Sequence, residues 1–388
     1  MTAPGKRQEQ VEALSIRLHG HQVGILAHYA GGKNILTFDP QFSALPGNRQ
    51  PTFSLTQHVR QGYFSAPLMT SQKLPPVLSN LLPEGALRSW MAQSLKTHAD
   101  NEFPLLALSG DNLPGAIVAE PLPAGRIPDW ALNARERINP VPVAVQSAAA
   151  GFSLAGVQMK FSAQRDDGRM TIQPESGTDD WIIKTPSTVH RHVPANEYSA
   201  MRLAEAIGVE IPAIEQIPLT ALSGLPDIQL PDETTAYAIK RFDRAGRTRI
   251  HTEDFAQVFE VFAHEKYGHY NYEQIGAALY RYGSQGLADI QQLARRLLAN
   301  ILLANGDAHL KNWTIIYPDG MNARLAPAYD IVSTLPYVAG ESESALNMAK
   351  NKHWYTTDLT HFQRWADRIG VPWPAIRGPH PGSAGSGP

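Results

Sequence analysis

The chain has no cysteine among its 388 residues, which excludes disulfide bridges and metal sites built on thiolates. It has no run of eighteen apolar residues, so no membrane-crossing helix is expected. The N-terminus, Met1-Thr2-Ala3-Pro4-Gly5-Lys6-Arg7-Gln8-Glu9-Gln10, is polar with no apolar stretch behind it, unlike a secretory signal. Charge is nearly balanced, 34 Lys and Arg against 36 Asp and Glu, which argues against a general nucleic-acid-binding surface. Internal repeats are absent as well. These absences point to a cytoplasmic, soluble protein with no membrane partner. What remains is ample core material: 43 % hydrophobic and 18 % charged residues, in a length that suits two or three domains.

Residues 12–38 alternate apolar and polar positions around Gly20, Gly31 and Gly32, a strand–turn–strand signature. After Leu81-Leu82-Pro83-Glu84-Gly85, the spacing of Leu87, Trp90, Met91 and Leu95 predicts a helix. A Pro- and Ala-rich stretch over 119–150 reads as a boundary, so residues 1–125 are expected to form an accessory subdomain. Residues 126–245 then hold short strands at 160–163, 181–184, 214–218 and 237–242, with a helix over 196–207 stopped by Gly208. Residues 246–376 read as mostly helical. Within them, 297–304 is apolar nearly all round, as expected for a buried helix. Residues 377–388, rich in Gly, Pro and Ser, read as a flexible tail. The expected fold class is α+β, in two lobes with an accessory subdomain.

Chemistry is concentrated in Asn305-Gly306-Asp307-Ala308-His309-Leu310-Lys311-Asn312 and in Asp330, eighteen residues beyond Asn312. An Asp, an Asn five residues later and a second Asp beyond a hairpin form the acidic half of a phosphoryl-transfer site. In such sites the first Asp orients the attacking hydroxyl, and the other two hold magnesium on ATP. One carboxylate, one amide oxygen and phosphate oxygens suffice for Mg²⁺, a hard cation that keeps several waters. The competing reading of Asp-x-x-x-x-Asn alone is a polar loop capping a helix. The basic half is Lys184, closing the apolar strand Trp181-Ile182-Ile183, with Glu197 thirteen residues on in the next helix. This is the phosphate lysine and its carboxylate partner, or else a snorkelling surface lysine. A phosphate loop is poorly marked: Phe152-Ser153-Leu154-Ala155-Gly156-Val157-Gln158-Met159-Lys160 is not Gly-rich, though backbone N–H groups of a tight turn bind phosphate without many glycines. Arg241-Phe242-Asp243-Arg244 follows a strand where a connection between lobes meets adenine. Asp243 there either accepts from the ribose hydroxyls or is a surface acid at a hairpin exit.

Taken together, these segments resemble the HipA family of bacterial toxin kinases, from about residue 12 to about 372. The most specific pieces are Leu81-Leu82-Pro83-Glu84-Gly85, Gly110-Asp111-Asn112-Leu113-Pro114-Gly115-Ala116 and Ser153 to Lys160. To these are added Ile183-Lys184, Asn196-Glu197-Tyr198, the Arg241 and Asp307 segments and Tyr329-Asp330-Ile331. The resemblance implies Asp307 as the catalytic residue, Asn312 and Asp330 as magnesium ligands and Lys184 on the ATP phosphates. Phe242 and Asp243 fall at the adenine and ribose, and Gly156 and Val157 in the phosphate loop. His309 and Lys311 fall in the catalytic loop, where a cation offsets developing charge, with Lys160 and Glu197 in support. Ser153 matches the serine that family members autophosphorylate, a modification that places close to two negative charges beside ATP and switches the kinase off. The implied partners are a small helix-turn-helix antitoxin (HipB-like), operator DNA only through it, and a protein substrate of the aminoacyl-tRNA synthetase class.

Two departures stand out. The family continues with further helices where this chain passes from residue 370 into the Gly/Pro/Ser tail, and Lys240 stands where the family has an acidic or small residue. Two rival readings remain at this stage: a small-molecule phosphotransferase of similar fold, and a decayed kinase that only holds an antitoxin. His19 with His21 and His190 with His192 read as surface or turn histidines, and Trp313 as core. Glu253, Asp254, Asp179 and Asp180 read as helix-start and turn acids.

Overall fold

The computed structural model describes residues 9–123, 125–132, 139–145, 159–166, 169–172, 179–225 and 229–377. Ser153, Gly156 and Val157 therefore lie outside the described residues.

The alternation near the N-terminus becomes a five-stranded antiparallel sheet in the order Leu68–Ser71, Lys33–Phe38, His21–Tyr29, Ala13–Leu18, Ile117–Pro121. His19 and Gly20 turn the first hairpin with φ of +47° and +82°, the paired left-handed geometry that matches strand twist. Leu14, Ile16, Leu18, Leu26, Leu36 and Phe38 share one face, packed with residues of the helices Gly85–Ser94 and Glu102–Ser109. Ala13, Ile25, Ala27 and Ile35 share a second cluster with Ala131. The period of two thus sorts two cores on opposite faces of one sheet.

A second, six-stranded sheet runs Ile214–Pro218, Thr235–Lys240, Trp181–Lys184, Lys160–Asp166, Arg169–Ile172, Leu222–Ser223. All neighbours are antiparallel except the last pair. Trp181 and Ile183 sit in a cluster with Phe161 and Ala238. Ile182 and Lys184, on the opposite side of the pleat, face the cleft. The helix Val193–Ala206 begins before Asn196 with a proline in its first turn, and Gly208 at φ +86° follows it.

The last part of the chain is less uniformly helical than its sequence suggests. Helices Tyr272–Tyr282, Leu287–Leu302 and Leu359–Ile369 surround a core containing Trp313, Trp365 and Phe255. Against them lies a three-stranded sheet, His251–Asp254, Thr314–Tyr317 and Arg324–Leu325. The Thr314–Tyr317 and Arg324–Leu325 pair is the hairpin between Asn312 and Asp330. The expectation of a helix buried all round over 297–304 is not met. The helix ends at Leu302, and Leu298 and Leu302 are 38 % and 68 % exposed. These two leucines are four residues apart and share an outward face, while Leu293, Leu297 and Ile290 fill the core.

Segments beside the first sheet dock directly on the helical lobe. Thr52 donates to the Met321 carbonyl (2.7 Å), Thr56 to that of Val258 (3.2 Å), and Gln257 to that of Val77 (2.8 Å). Leu55 itself belongs to the helical-lobe core.

Candidate active site

Two clefts meet between the lobes. The first, about 310 Å³, has apolar walls that include Ile182, Ile239, Phe242 and Tyr329 and a charged floor of Lys184, Asp330 and Lys160. The second, about 520 Å³, is lined by Asp307, His309 and Asn312 on one side and residues 82–85 on the other. Lys160, Lys311 and Asp330 line both.

Strand register brings the two lysines together: Lys184 and Lys160 are directly opposed on neighbouring strands. Each reaches a different oxygen of Asp330, Lys184 at Oδ1 and Lys160 at Oδ2, the latter 3.2 Å away. Lys184 also donates to Glu197 Oε1 at 2.5 Å, so the predicted strand–helix pair forms. Burial pushes the Lys184 ammonium down, but Asp330 and Glu197 outweigh it and hold it above its ordinary value. Burial raises Asp330, yet Lys160 and Lys184 together leave it well below the usual carboxylate range. Glu197 is pushed up by burial against the pull of Lys184, with the charge of Asp330 adding to the rise. Asp330 adopts φ +53°, a left-handed backbone that is costly for a residue with a Cβ and is concentrated at functional sites.

The Asp307 loop is braced from below. Asn305 is buried and accepts from the Asp307 N–H (3.0 Å), while its amide donates to Asn300 Oδ1 (2.6 Å) and the Asp330 carbonyl (3.4 Å). One side chain thus ties the two acidic loops together. Asn312 donates its amide N–H to the Asp307 carbonyl (2.8 Å), which leaves its amide oxygen as the group a cation would meet. The Asp307 carboxylate is half exposed and accepts from the Tyr267 hydroxyl at 2.5 Å.

Three expectations change. His309 is buried, its Nε2 3.8 Å from Asp307, and Nδ1 has no partner among the described residues. Burial and then Lys266 lower its pKa, so the ring is neutral near pH 7 and is not the cation expected there. Lys311 is a cation, but its ammonium is engaged by Asn80 O (2.7 Å), Asp254 Oδ2 (3.0 Å) and Glu84 Oε1 (3.5 Å). Asp243 lines the first cleft, yet its carboxylate is taken up by Arg241 (2.9 and 2.8 Å), Arg244 (2.9 Å) and the Gly115 N–H (2.8 Å). With three donors on Oδ2 and Arg241 Nε on Oδ1, it is arranged to hold the connection between lobes. Phe242 does stand at the cleft, its ring 5.7 Å from Tyr329, and Lys240 lines the same wall.

Several residues escaped sequence reasoning. Asp179, read as a turn acid, is a buried partner of Arg241. Glu253 is fully buried, accepting from Tyr317 (2.5 Å) and the Leu55 N–H (2.8 Å). Tyr267 and Asn305 lie outside any spacing rule. Asp254 does behave as read, capping the helix Phe255–Val258, and Trp313 is core. The Gly110 and Gly115 motif also finds its reason. A Cβ at Gly110 would fall 2.1 Å from the Ala119 carbonyl oxygen, and one at Gly115 2.7 Å from Thr252 Oγ1.

A strand-rich lobe, a helical lobe and a cleft carrying a lysine–glutamate pair opposite two acidic loops define a kinase-like protein with an accessory half. Family comparison matches the HipA N-terminal domain over residues 14–120 and the HipA-like C-terminal domain over 152–378. The chain belongs to the HipA family. It is 39 % identical over 348 residues to the candidate kinase Y4dM of Sinorhizobium fredii, covering 88 % of this chain and 82 % of that one. It is 26 % identical over 335 residues to the serine/threonine-protein kinase toxin HipA of Shewanella oneidensis, covering 78 % and 73 %. A solved structure of Shewanella oneidensis HipA, in complex with HipB and operator DNA, matches with a TM-score of 0.68 at 20 % identity. That match covers 94 % of this chain and 86 % of that chain, and the likeness speaks for the fold. Among the described residues no helix is long and apolar enough to cross a membrane.

Proposed function

We propose that this chain is an ATP-dependent protein serine/threonine kinase of the HipA toxin type. The observation that carries the reading is the junction of the two clefts at Lys160, Lys311 and Asp330. A nucleotide in the first cleft would present its terminal phosphate where the second cleft brings an acceptor to Asp307. The division into an accessory subdomain to residue 125, a nucleotide lobe to 245, a helical lobe to 376 and a tail over 377–388 belongs to the same proposal.

The donor set suits magnesium. Asp330 and the amide oxygen of Asn312 are hard oxygen ligands, and each Asp330 oxygen already faces a positive charge. Magnesium, when bound, supplies charge that screens the phosphates. Lys184 is released from Asp330 to bind the α and β phosphates, with Glu197 keeping it oriented. Ile182, Ile239 and Phe242 take the apolar base. Asp307 holds the acceptor hydroxyl and receives its proton as the acceptor oxygen bonds to phosphorus and the bond to ADP breaks. Asn305 and Tyr267 keep that carboxylate in place.

In this reading Ser153 is the autophosphorylated residue. The acceptor in trans is a protein, with an aminoacyl-tRNA synthetase as the class that the family resemblance suggests. A small HipB-like helix-turn-helix antitoxin is the partner and brings DNA only indirectly. The solved assembly of Shewanella oneidensis HipA with HipB and operator DNA supports that assignment.

The test is mass spectrometry after incubation with magnesium–ATP, with Asp307→Asn as control and phosphatase-treated starting material. Phosphate on Ser153 in the parent and none in the control is expected. Absence of phosphate in both overturns the reading.

A further inference from the structure

We propose that Glu84, a residue of the accessory half, is a positioning residue of the kinase reaction, and that residues 80–85 form a third wall of the site. This rests on the kinase reading above. The segment straddles both clefts: Asn80 and Leu81 line the nucleotide side, and Leu82, Pro83, Glu84 and Gly85 line the acceptor side. A surface loop with a purely architectural role has no reason to follow the site so closely.

Glu84 connects to Asp307 by two routes. Its Oε2 accepts from Lys266 Nζ at 2.7 Å, and the next residue, Tyr267, donates to Asp307 at 2.5 Å. The Lys266 carbonyl in turn accepts from the Leu310 N–H (3.3 Å), inside the catalytic loop. By the second route, Oε1 lies 3.5 Å from Lys311 Nζ, next in sequence to Asn312. Lys311 also reaches the Asn80 carbonyl at 2.7 Å, so the accessory segment holds that ammonium at both of its ends. Although burial opposes it, Lys311 and Lys266 keep the Glu84 carboxyl below its ordinary value and ionised.

The physical consequence concerns charge placement. Lys160, Lys266 and Lys311 all line the acceptor cleft. With Glu84 ionised, Lys266 and Lys311 are held at the wall, and Lys160 remains for the transferring phosphate. Without it, Lys311 keeps Asp254 at 3.0 Å, but Lys266 loses its carboxylate at 2.7 Å, and the phosphates draw that ammonium across the path of the acceptor hydroxyl. Nucleotide binding tolerates this, because Lys184, Ile182 and Phe242 are untouched. The transfer step does not.

The same halves are joined elsewhere by an ion pair between Arg60 and Glu260, whose residues line neither cleft. This provides an internal control for interface stability. Phosphate transfer by the full chain, onto itself and onto dephosphorylated casein, is measured for the parent, Glu84→Gln, Glu84→Asp, Glu260→Gln and Asp307→Asn, together with KM for ATP and the melting temperature. Glu84→Gln is expected to lower kcat about tenfold or more, as misplaced groups in an oriented site do, with KM for ATP within about twofold. Glu84→Asp restores part of the rate, and Glu260→Gln keeps the parent's kcat. Unchanged kcat in Glu84→Gln overturns the proposal. So does a loss that tracks the melting temperature or appears equally in Glu260→Gln, because Glu84 is then interface glue. If the parent shows no Asp307-dependent transfer, the kinase reading itself has failed and the proposal falls with it.

Discussion

Two charged clusters in this molecule each combine two carboxylates with two cations, and they are built for opposite ends. In the connection between lobes, Asp179 and Asp243 meet Arg241 and Arg244, with side chains 1–10 % exposed. In the cleft, Glu197 and Asp330 meet Lys184 and Lys160, and exposure rises to 25 % at Asp330 and 52 % at Lys160. The first uses guanidinium forks, which saturate carboxylates in fixed geometry. The second uses ammoniums, point charges on flexible stems that exchange partners. Arg244 adds two backbone bonds, to the Gly115 and Leu113 carbonyls at 3.0 and 3.1 Å, which tie the accessory half to the hinge. Arg241 and Asp243 of the first cluster border the first cleft, but their charged groups are spent on one another and on Asp179 and Arg244. The second lies at the meeting of two clefts, with Asp330 on a left-handed backbone. A cluster locked by guanidiniums fixes where the lobes sit, and one built on ammoniums suits the proposed exchange of internal cations for a metal and a phosphate.

The contrast is sharpest if removing one carboxylate from each cluster has different consequences. Asp330→Asn is expected to reduce phosphate transfer by on the order of 10³-fold or more, since it removes charge stabilisation that acts in the transition state, while the chain stays folded. Radiolabelled transfer and a thermal melt on one preparation check both halves of that statement. Asp243→Ala should instead strand two guanidiniums and cost about 3–5 kcal/mol of stability, read from denaturant unfolding. Equal folding losses in both variants would remove the distinction between the clusters.

A third acid, Glu253, shows burial without a cation. Burial, opposed only by hydrogen bonds, pushes its carboxyl up to about 7. A raised carboxyl contributes stability that is full below its unfolded value of about 4.3 and is lost as pH rises towards the folded value. Between those limits Glu253→Gln should gain on the parent by on the order of 3 kcal/mol. His251, lowered by burial to about 4, bends both curves alike and drops out of the difference. A parent-minus-variant stability profile that stays flat from pH 4.5 to 7 would sink this assignment. Asp330 has the opposite sign. Its stabilisation is present above the ordinary carboxylate range and disappears only as pH falls below it, so the parent is expected to lose stability in acid where Asp330→Asn does not.

The smallest effect is expected at the surface. Arg165 and Glu215 form a two-pronged pair at 2.6 and 2.5 Å, each more than a third exposed. Solvent screening limits such a pair to less than about 1 kcal/mol, so Glu215→Gln should barely move the melt. A large shift there would show that exposed and buried pairs in this chain do not differ as argued.

Much of the candidate site was legible because its parts are local. Lys184 closes a strand whose apolar pattern is visible, Glu197 starts the next helix, and Asp307 and Asn312 lie in one short loop. Asp330 follows a hairpin whose length could be counted. The misreadings share a cause. Asp179 and Glu253 read as turn and helix-start acids, and Asp243 as a ribose acceptor or a surface acid, because a carboxylate carries no sign in sequence of whether an arginine or a tyrosine from another segment will cover it. Leu298 and Leu302 looked buried because an apolar run does not reveal which of its faces finds a neighbour. His309 looked like a cation until its burial was known.

What the sequence determined by itself is therefore the set of parts and their order. Strand and helix periods, glycine positions and the spacing of Lys184, Glu197, Asp307, Asn312 and Asp330 follow from local sterics and hydrophobic patterning along the chain. Only the tertiary structure decided which charges meet. Lys160 and Lys184 converge on Asp330 through strand register, and Asp243 is engaged by two arginines. Glu84 reaches the loop of Asp307 and Lys311 from more than two hundred residues away in sequence. The physical reason is that electrostatic and hydrogen-bond energies depend on distance in space and on burial, and neither is a function of separation along the chain.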